Sequence, residues 1–142
     1  MYMPDVNVLV GALHEESPDH ERLAEWMEDT INGDFPLSLS SLVVGGLVRV
    51  VTNPRIFAHP MTTDMILTTC EMMLGSGGAV IAYPGQRHFS IFSSLCRAVS
   101  ARGNLVSDAQ YAALAIETNA TWVSFDEDFA RFPGLKWEKP HV

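Results

Sequence analysis

Apolar positions fall into short dense runs alternating with longer stretches of helical period, and this alternation predicts the elements. Met3 to Val10, with Val6, Val8, Leu9 and Val10, reads as a short buried strand running into a helix. Ser17-Pro18-Asp19 predicts a helix start: a hydroxyl cap, a proline in the first turn and acids favoured by the dipole. That helix places Leu23, Trp26, Met27 and Ile31 on one face and stops at Asn32-Gly33. Phe35 to Ser40 alternates apolar and polar residues as a strand does. Ser41 opens an apolar helix, Leu42 to Val51, that Thr52-Asn53-Pro54 ends.

The second half repeats the pattern. Thr62-Thr63-Asp64 caps a helix reaching Leu74, closed by Gly75-Ser76-Gly77-Gly78. Ala79 to Ala82 is a second buried strand, followed by Pro84-Gly85 and a helix from about Arg87 to Ala101. Ser107-Asp108 opens a helix rich in Ala and Leu that ends near Asn119. Thr121 to Phe125 is a third apolar strand, Asp126 to Phe129 a short helical turn, and Leu135 to Trp137 a last strand. Strands alternating with helices predict an α/β fold: a three-layer α/β/α arrangement around a central, mostly parallel sheet. No repeat, linker or low-complexity tract interrupts residues 1–142, which read as one domain.

Composition adds limits. The chain is 47% apolar, ample for a hydrophobic core. No apolar run approaches the roughly 18 residues of a membrane span, and Met1-Tyr2-Met3-Pro4-Asp5 lacks the basic start of a secretory signal. Cys70 and Cys96 lie in helix-like patterns without metal-type spacing, which predicts reduced, buried thiols in a cytoplasmic protein. The net charge of −8 excludes wholesale electrostatic wrapping of nucleic acid. The charge is uneven, however: residues 15–34 hold eight acids against one base, Arg22. This run is a solvated helix face and says little about a site. Arg49, Arg55, Arg87, Arg97 and Arg102 lie where acids are sparse.

In open α/β sheets the site lies beyond the carboxyl ends of the strands. Asp5 ends the first strand, Asp126 ends a later one, and Asp108 stands at a predicted helix start, so distant residues converge on one edge. Carboxylates gathered there repel one another unless a cation is bound. Mg²⁺ and Mn²⁺ suit such hard oxygen ligands, and activate water against phosphodiesters. Each acid also has a plain use. On spacing alone Asp108 reads as a helix cap, and Asp126 and Asp128 as turn and first-turn acids. Asp5, bordered by Val6 and Val8, is harder to place that way: a carboxylate in a core segment has to be neutralised, paired or metal-bound.

Over essentially its whole length the chain resembles the PIN-domain nucleases, most closely the VapC-type toxins of bacterial toxin–antitoxin pairs. The resemblance is carried by Pro4-Asp5-Val6-Asn7-Val8-Leu9 and by Leu47-Val48-Arg49-Val50-Val51-Thr52-Asn53-Pro54-Arg55-Ile56-Phe57. It continues in Gly103-Asn104-Leu105-Val106-Ser107-Asp108-Ala109, in Ala112 to Glu117, and in Val123-Ser124-Phe125-Asp126-Glu127-Asp128-Phe129 through Leu135. It implies a metal-dependent (Mg²⁺ or Mn²⁺) endoribonuclease of α/β/α fold, acting on RNA, usually homodimeric and inhibited by a cognate VapB-type antitoxin. Asp5, Asp108, Asp126 and Asp128 match the family's catalytic acids, the first three as metal ligands. Ser124 matches the small hydroxyl residue before the third acid, and Asn7 the asparagine that orients the first.

One departure stands out. The family usually places a glutamate three residues before the arginine matched by Arg49; here that position is Gly46, preceded by Gly45. A ligand or water-orienting carboxylate is thereby absent, which opens the alternative of a catalytically impaired RNA- or protein-binding module. Glycine in mid-helix costs about 1 kcal/mol relative to alanine, and close backbone approach is the ordinary reason to keep it. Arg49 and Arg55 flank a helix end where they would grip a phosphate; Arg49 would equally pair with a site acid or an antitoxin's acidic tail. The histidines His14, His20, His59, His88 and His141 lack a zinc-type spacing and read mostly as surface residues. Trp26, Trp122 and Trp137 read as core or interface anchors. The chain lacks the loop and Asp-x-Asp signatures of other phosphohydrolases.

Overall fold

The first strand is already committed by its neighbours in space. In the computed structural model, which describes residues 1–141, β1 (Tyr2–Pro4) runs parallel to β4 (Thr121–Val123), pairing Tyr2 with Thr121 and Pro4 with Val123. Beyond β4 lies β5 (Trp137–Glu138), also parallel. On the other side β1 adjoins β2 (Leu37–Ser40), whose parallel partner is β3 (Ala79–Ala82). The connections are α1 (Val6–Leu13), α2 (His20–Ile31), α3 (Ser41–Val51), α4 (Thr63–Gly75), α5 (His88–Val99) and α6 (Asn104–Glu117). A 3₁₀ turn, Glu127–Arg131, follows β4. Among the described residues every strand pairing is parallel, as alternating strands and helices require.

Side-chain oxygens set several boundaries. Asp5 Oδ1 accepts from the Val6 amide at 2.7 Å and starts α1. Ser40 Oγ caps α3 through the Leu42 amide, and Thr62 Oγ1 caps α4 through Met65. Other boundaries differ from the sequence pattern. Ser17 does not cap α2: its hydroxyl donates to the Val10 carbonyl, and the helix begins only at His20 after Asp19 turns left-handed at φ 59°. Nor does α6 begin at Ser107. Gly103, at φ 61°, turns the chain into a helix starting at Asn104, so Asp108 lies a full turn inside. Strand β3 is at an edge, with Ala79 buried but Val80 42% exposed. The last strand starts at Trp137 because Leu135 is still in a turn, its amide donating to the Phe132 carbonyl.

The core forms under the sheet's two halves. Trp122 is fully buried, with Tyr111 stacked at 5.6 Å and Phe129 tilted at 5.3 Å between ring centres. Such pairs add about 0.5–1.5 kcal/mol beyond area burial. The buried face of α6 is built from Ala109, Ala112, Ala113 and Ala115, small enough for the helix backbone to lie close to its neighbours. Cys70 is buried and Cys96 half-buried, and neither is disulfide-bonded. Glycine eases one crossing: a Cβ on Gly11 would fall 2.2 Å from Leu23 Cδ1, so a side chain there would force the buried Leu23 tip to move. No helix among the described residues is long and apolar enough to cross a membrane.

Candidate active site

Because Pro4 is level with Val123, the residues that follow them, Asp5 and Ser124, leave the sheet side by side at its carboxyl edge. Ser124, fully buried, donates its hydroxyl to Asp5 Oδ2 at 2.6 Å. With the Val6 amide on Oδ1, both oxygens of a carboxylate only 8% exposed are hydrogen-bonded. Burial still dominates and pushes Asp5 above the ordinary carboxylate range, against the lowering effect of these two bonds; Asp126 raises it further. Ser124 Oγ also accepts from the Asp126 amide at 3.1 Å, so one hydroxyl orients two acids 121 residues apart. Asn7 reaches the same point: its Nδ2 donates to Ser124 Oγ at 3.4 Å and its Oδ1 accepts from the Phe125 amide at 3.5 Å.

Asp126 Oδ1 accepts from the Asp128 amide at 2.9 Å, which caps the 3₁₀ turn and holds Asp126 in place. Asp128 is exposed at the rim. The fourth acid comes from α6. Asp108 is half-buried, and its pKa is pushed up to about 6, first by burial and then by Asp126, Asp5 and Asp128. The structure thus brings all four acids into one electrostatic neighbourhood. It does not preassemble them: among the described residues no three His, Cys, Asp or Glu side chains are close enough to form a metal cage.

Arg49 is exposed on α3 and pairs with no carboxylate among the described residues, leaving its guanidinium available. It does bear on Tyr111, a residue the sequence reading passed over. Burial raises the Tyr111 phenol, with Asp5 and Asp108 adding to the rise and Arg49 opposing it. The signal was available: Tyr111 is three residues after Asp108, one helical turn along the same face. Arg55 is exposed, its amide donating to Asn53 Oδ1.

Gly46 faces Val6, and a Cβ there would meet Val6 Cγ2 at 3.2 Å; the glycine seats α3 tightly against the start of α1, beside Asp5. Gly45 has open space, so close approach explains only one of the pair.

The PIN domain family model matches residues 2–135. The chain belongs to the PIN-domain family. A VapC ribonuclease of Mycobacterium bovis is 40% identical over 140 residues, covering 99% of this chain and 95% of that one. Ribonuclease VapC37 of Mycobacterium tuberculosis is 32% identical over 99% of this chain and 97% of its own length. Among solved structures, VapBC2 from Rickettsia felis bound to a promoter DNA fragment shares the fold with a TM-score of 0.71 at 22% identity, covering 97% of each chain. VapBC-1 from nontypeable Haemophilus influenzae does so with the same TM-score at 15% identity. This PIN-domain likeness agrees with the three-layer α/β/α arrangement around a parallel sheet.

Proposed function

We propose that this chain is a divalent-metal-dependent endoribonuclease, with Mg²⁺ or Mn²⁺ bound between Asp5, Asp108 and Asp126, and that it acts in the cytoplasm as the toxin of a toxin–antitoxin pair. The observation that carries this reading is the shared electrostatic stress of the acids: a single domain has placed four carboxylates where burial and mutual repulsion raise Asp5 and Asp108 together. Perturbation of that kind marks sites built for a missing charge. Hard carboxylate oxygens, with no thiolate or imidazole among them, suit Mg²⁺ or Mn²⁺ rather than zinc. Such ions keep several waters and so need few protein ligands. When bound, the ion supplies an activated water and neutralises charge on the phosphodiester.

The chain's own residues do the rest. Ser124 and the Val6 amide fix Asp5, Ser124 and the Asp128 amide fix Asp126, and Asn7 braces the Ser124 side. Asp128 adds negative charge at the rim, and Arg49 is placed to hold a substrate phosphate by its forked donors. Relatives named VapC ribonucleases, and neighbours solved as VapBC assemblies, support an RNA substrate and a VapB-type antitoxin; a homodimer belongs to the same proposal. The impaired-module alternative keeps one argument, Gly46, whose tight seat against Val6 leaves no fifth carboxylate on α3. Incubating the purified chain with total RNA decides between them: cleavage with Mg²⁺ or Mn²⁺ that stops in EDTA is expected. RNA left whole at millimolar metal would overturn the enzyme reading.

A further inference from the structure

The edge that carries the acids opens into a feature that phosphodiester cleavage alone does not use. Beside Asp5 lies a cavity of about 900 Å³, within the roughly 300–1,000 Å³ usual for preformed ligand sites. Three segments wall it: Val6 and Val10 from α1, Leu23 from α2, and Val50, Ile56 and Phe57 at and after the end of α3. Phe125, 37% exposed and next in sequence to Ser124, also faces it. Its charged lining residues are all acids, Asp5, Glu16 and Asp19, with no lysine or arginine.

The wall is built rather than loose. Phe57 stacks on the buried His14 with ring centres 3.7 Å apart and planes 8° from parallel. His14 Nδ1 accepts from the Glu16 amide, so its Nε2 carries the proton and donates to the His59 carbonyl at 3.1 Å. Glu16 in turn accepts from the His59 amide and ring, each at 3.0 Å. The segment following α3 is thereby tied to the end of α1, and the cavity keeps its shape.

We infer that this cavity receives the base of an unpaired nucleotide adjoining the scissile phosphate, and so selects where RNA is cut. The inference rests on the ribonuclease reading above. A net charge of −8 limits phosphate neutralisation to local contacts such as Arg49 and the metal, so bases have to add to the affinity. Away from the metal-binding edge, a phosphate in the cavity would meet Glu16 and Asp19 with no lysine or arginine to offset them. A base is uncharged, buries its faces against the aliphatic wall and Phe125, and offers amino hydrogens to Asp19, since the oxygens of Asp5 and Glu16 already have partners. Asp19 is exposed and, although it stands at the N-cap of α2, its side chain makes no cap hydrogen bond, which leaves its carboxylate as an acceptor. A base with an exocyclic amino group is therefore preferred over uracil.

The test uses a 15-nucleotide single-stranded RNA spanning a cut mapped by sequencing 5′ ends. Each nucleotide flanking the cut is replaced in turn by an abasic one. At one flanking position the abasic RNA binds about tenfold more weakly to the wild-type chain, the scale of losing one stacked base. Ile56→Ser, at a residue 53% exposed and so tolerant of change, weakens binding of intact RNA but not of that abasic RNA. Asp19→Asn, which suits the left-handed backbone there, narrows the preference over uracil. Losses that simply add, or cleavage indifferent to both variants and to every abasic position, overturn the pocket while leaving the ribonuclease intact. Ile56→Ser that spares RNA but releases a bound antitoxin assigns the cavity to protein instead. A wild-type chain that cuts no RNA removes the underlying reading.

Discussion

Two polar clusters flank α1, and they are built on opposite principles. At its end, His14, Glu16 and His59 satisfy one another: every ring nitrogen of His14 and both oxygens of Glu16 have partners, and the His59 bonds hold the Glu16 carboxyl below its usual range. At its start, Asp5 faces the like charge of Asp126, and across the site Asp108 faces Asp126, Asp5 and Asp128. The first cluster spends polar groups on holding a loop. The second buries carboxylates first and adds repulsion among them second. A satisfied network rigidifies, whereas a cluster of perturbed acids marks a candidate functional site, which the proposed cation would relieve.

The largest expected break in this contrast is Asp108→Asn. Removing one carboxylate from the stressed cluster should lower RNA cleavage roughly a hundredfold or more, measured as single-turnover rates with Mn²⁺, while the circular dichroism spectrum is unchanged. Cleavage near the wild-type rate would detach Asp108 from the chemistry. Ser124→Ala comes next, because it frees both Asp5 and Asp126: a loss of roughly ten- to hundredfold is expected, with cleavage recovered in part by Ser124→Thr.

The satisfied cluster should fail in the other currency. His14→Leu leaves the Glu16 amide and the His59 carbonyl without partners and removes the ring under Phe57. A drop of about 2 kcal/mol in urea-measured stability is expected, and an unchanged midpoint would show the latch to be idle. The smallest effect concerns pH. Asp108 has a folded pKa of about 6, above its ordinary 3.8. Its protonated form is favoured by folding, so its contribution is fully present below pH 3.8 and lost as pH rises through 6. In EDTA, Asp108→Asn should therefore stabilise the chain at pH 7 by roughly 1 kcal/mol after solvent screening, and by nothing near pH 3. An advantage constant across that range would point to helix propensity rather than charge.

Much of the fold was legible because its signals are local. Thr62 sits where a hydroxyl cap belongs, and the apolar runs from Leu37, Ala79 and Thr121 became strands, though the cap of α3 is Ser40, one residue before the expected Ser41 start. Asp5 could be singled out because an acid between core residues has few uses. The misreadings share a cause. Ser17 and Ser107 look like caps by composition, yet Ser17 is claimed by the Val10 carbonyl, and Gly103 takes the turn that starts α6. His14 reads as a surface residue until Phe57, 43 positions later, covers it.

What the chain determines by itself is therefore the set of elements, the α/β alternation and the acids available to one edge. Tertiary structure alone decides that Ser124 lies 2.6 Å from Asp5, that Asp108 stands inside a helix, and that the space between α1, α2 and the end of α3 remains open. The division has a physical basis. Caps and periodicity are written in interactions spanning three or four residues. Burial, field and cavity arise from parallel pairing of strands more than a hundred residues apart, and no local pattern carries the energy of that pairing.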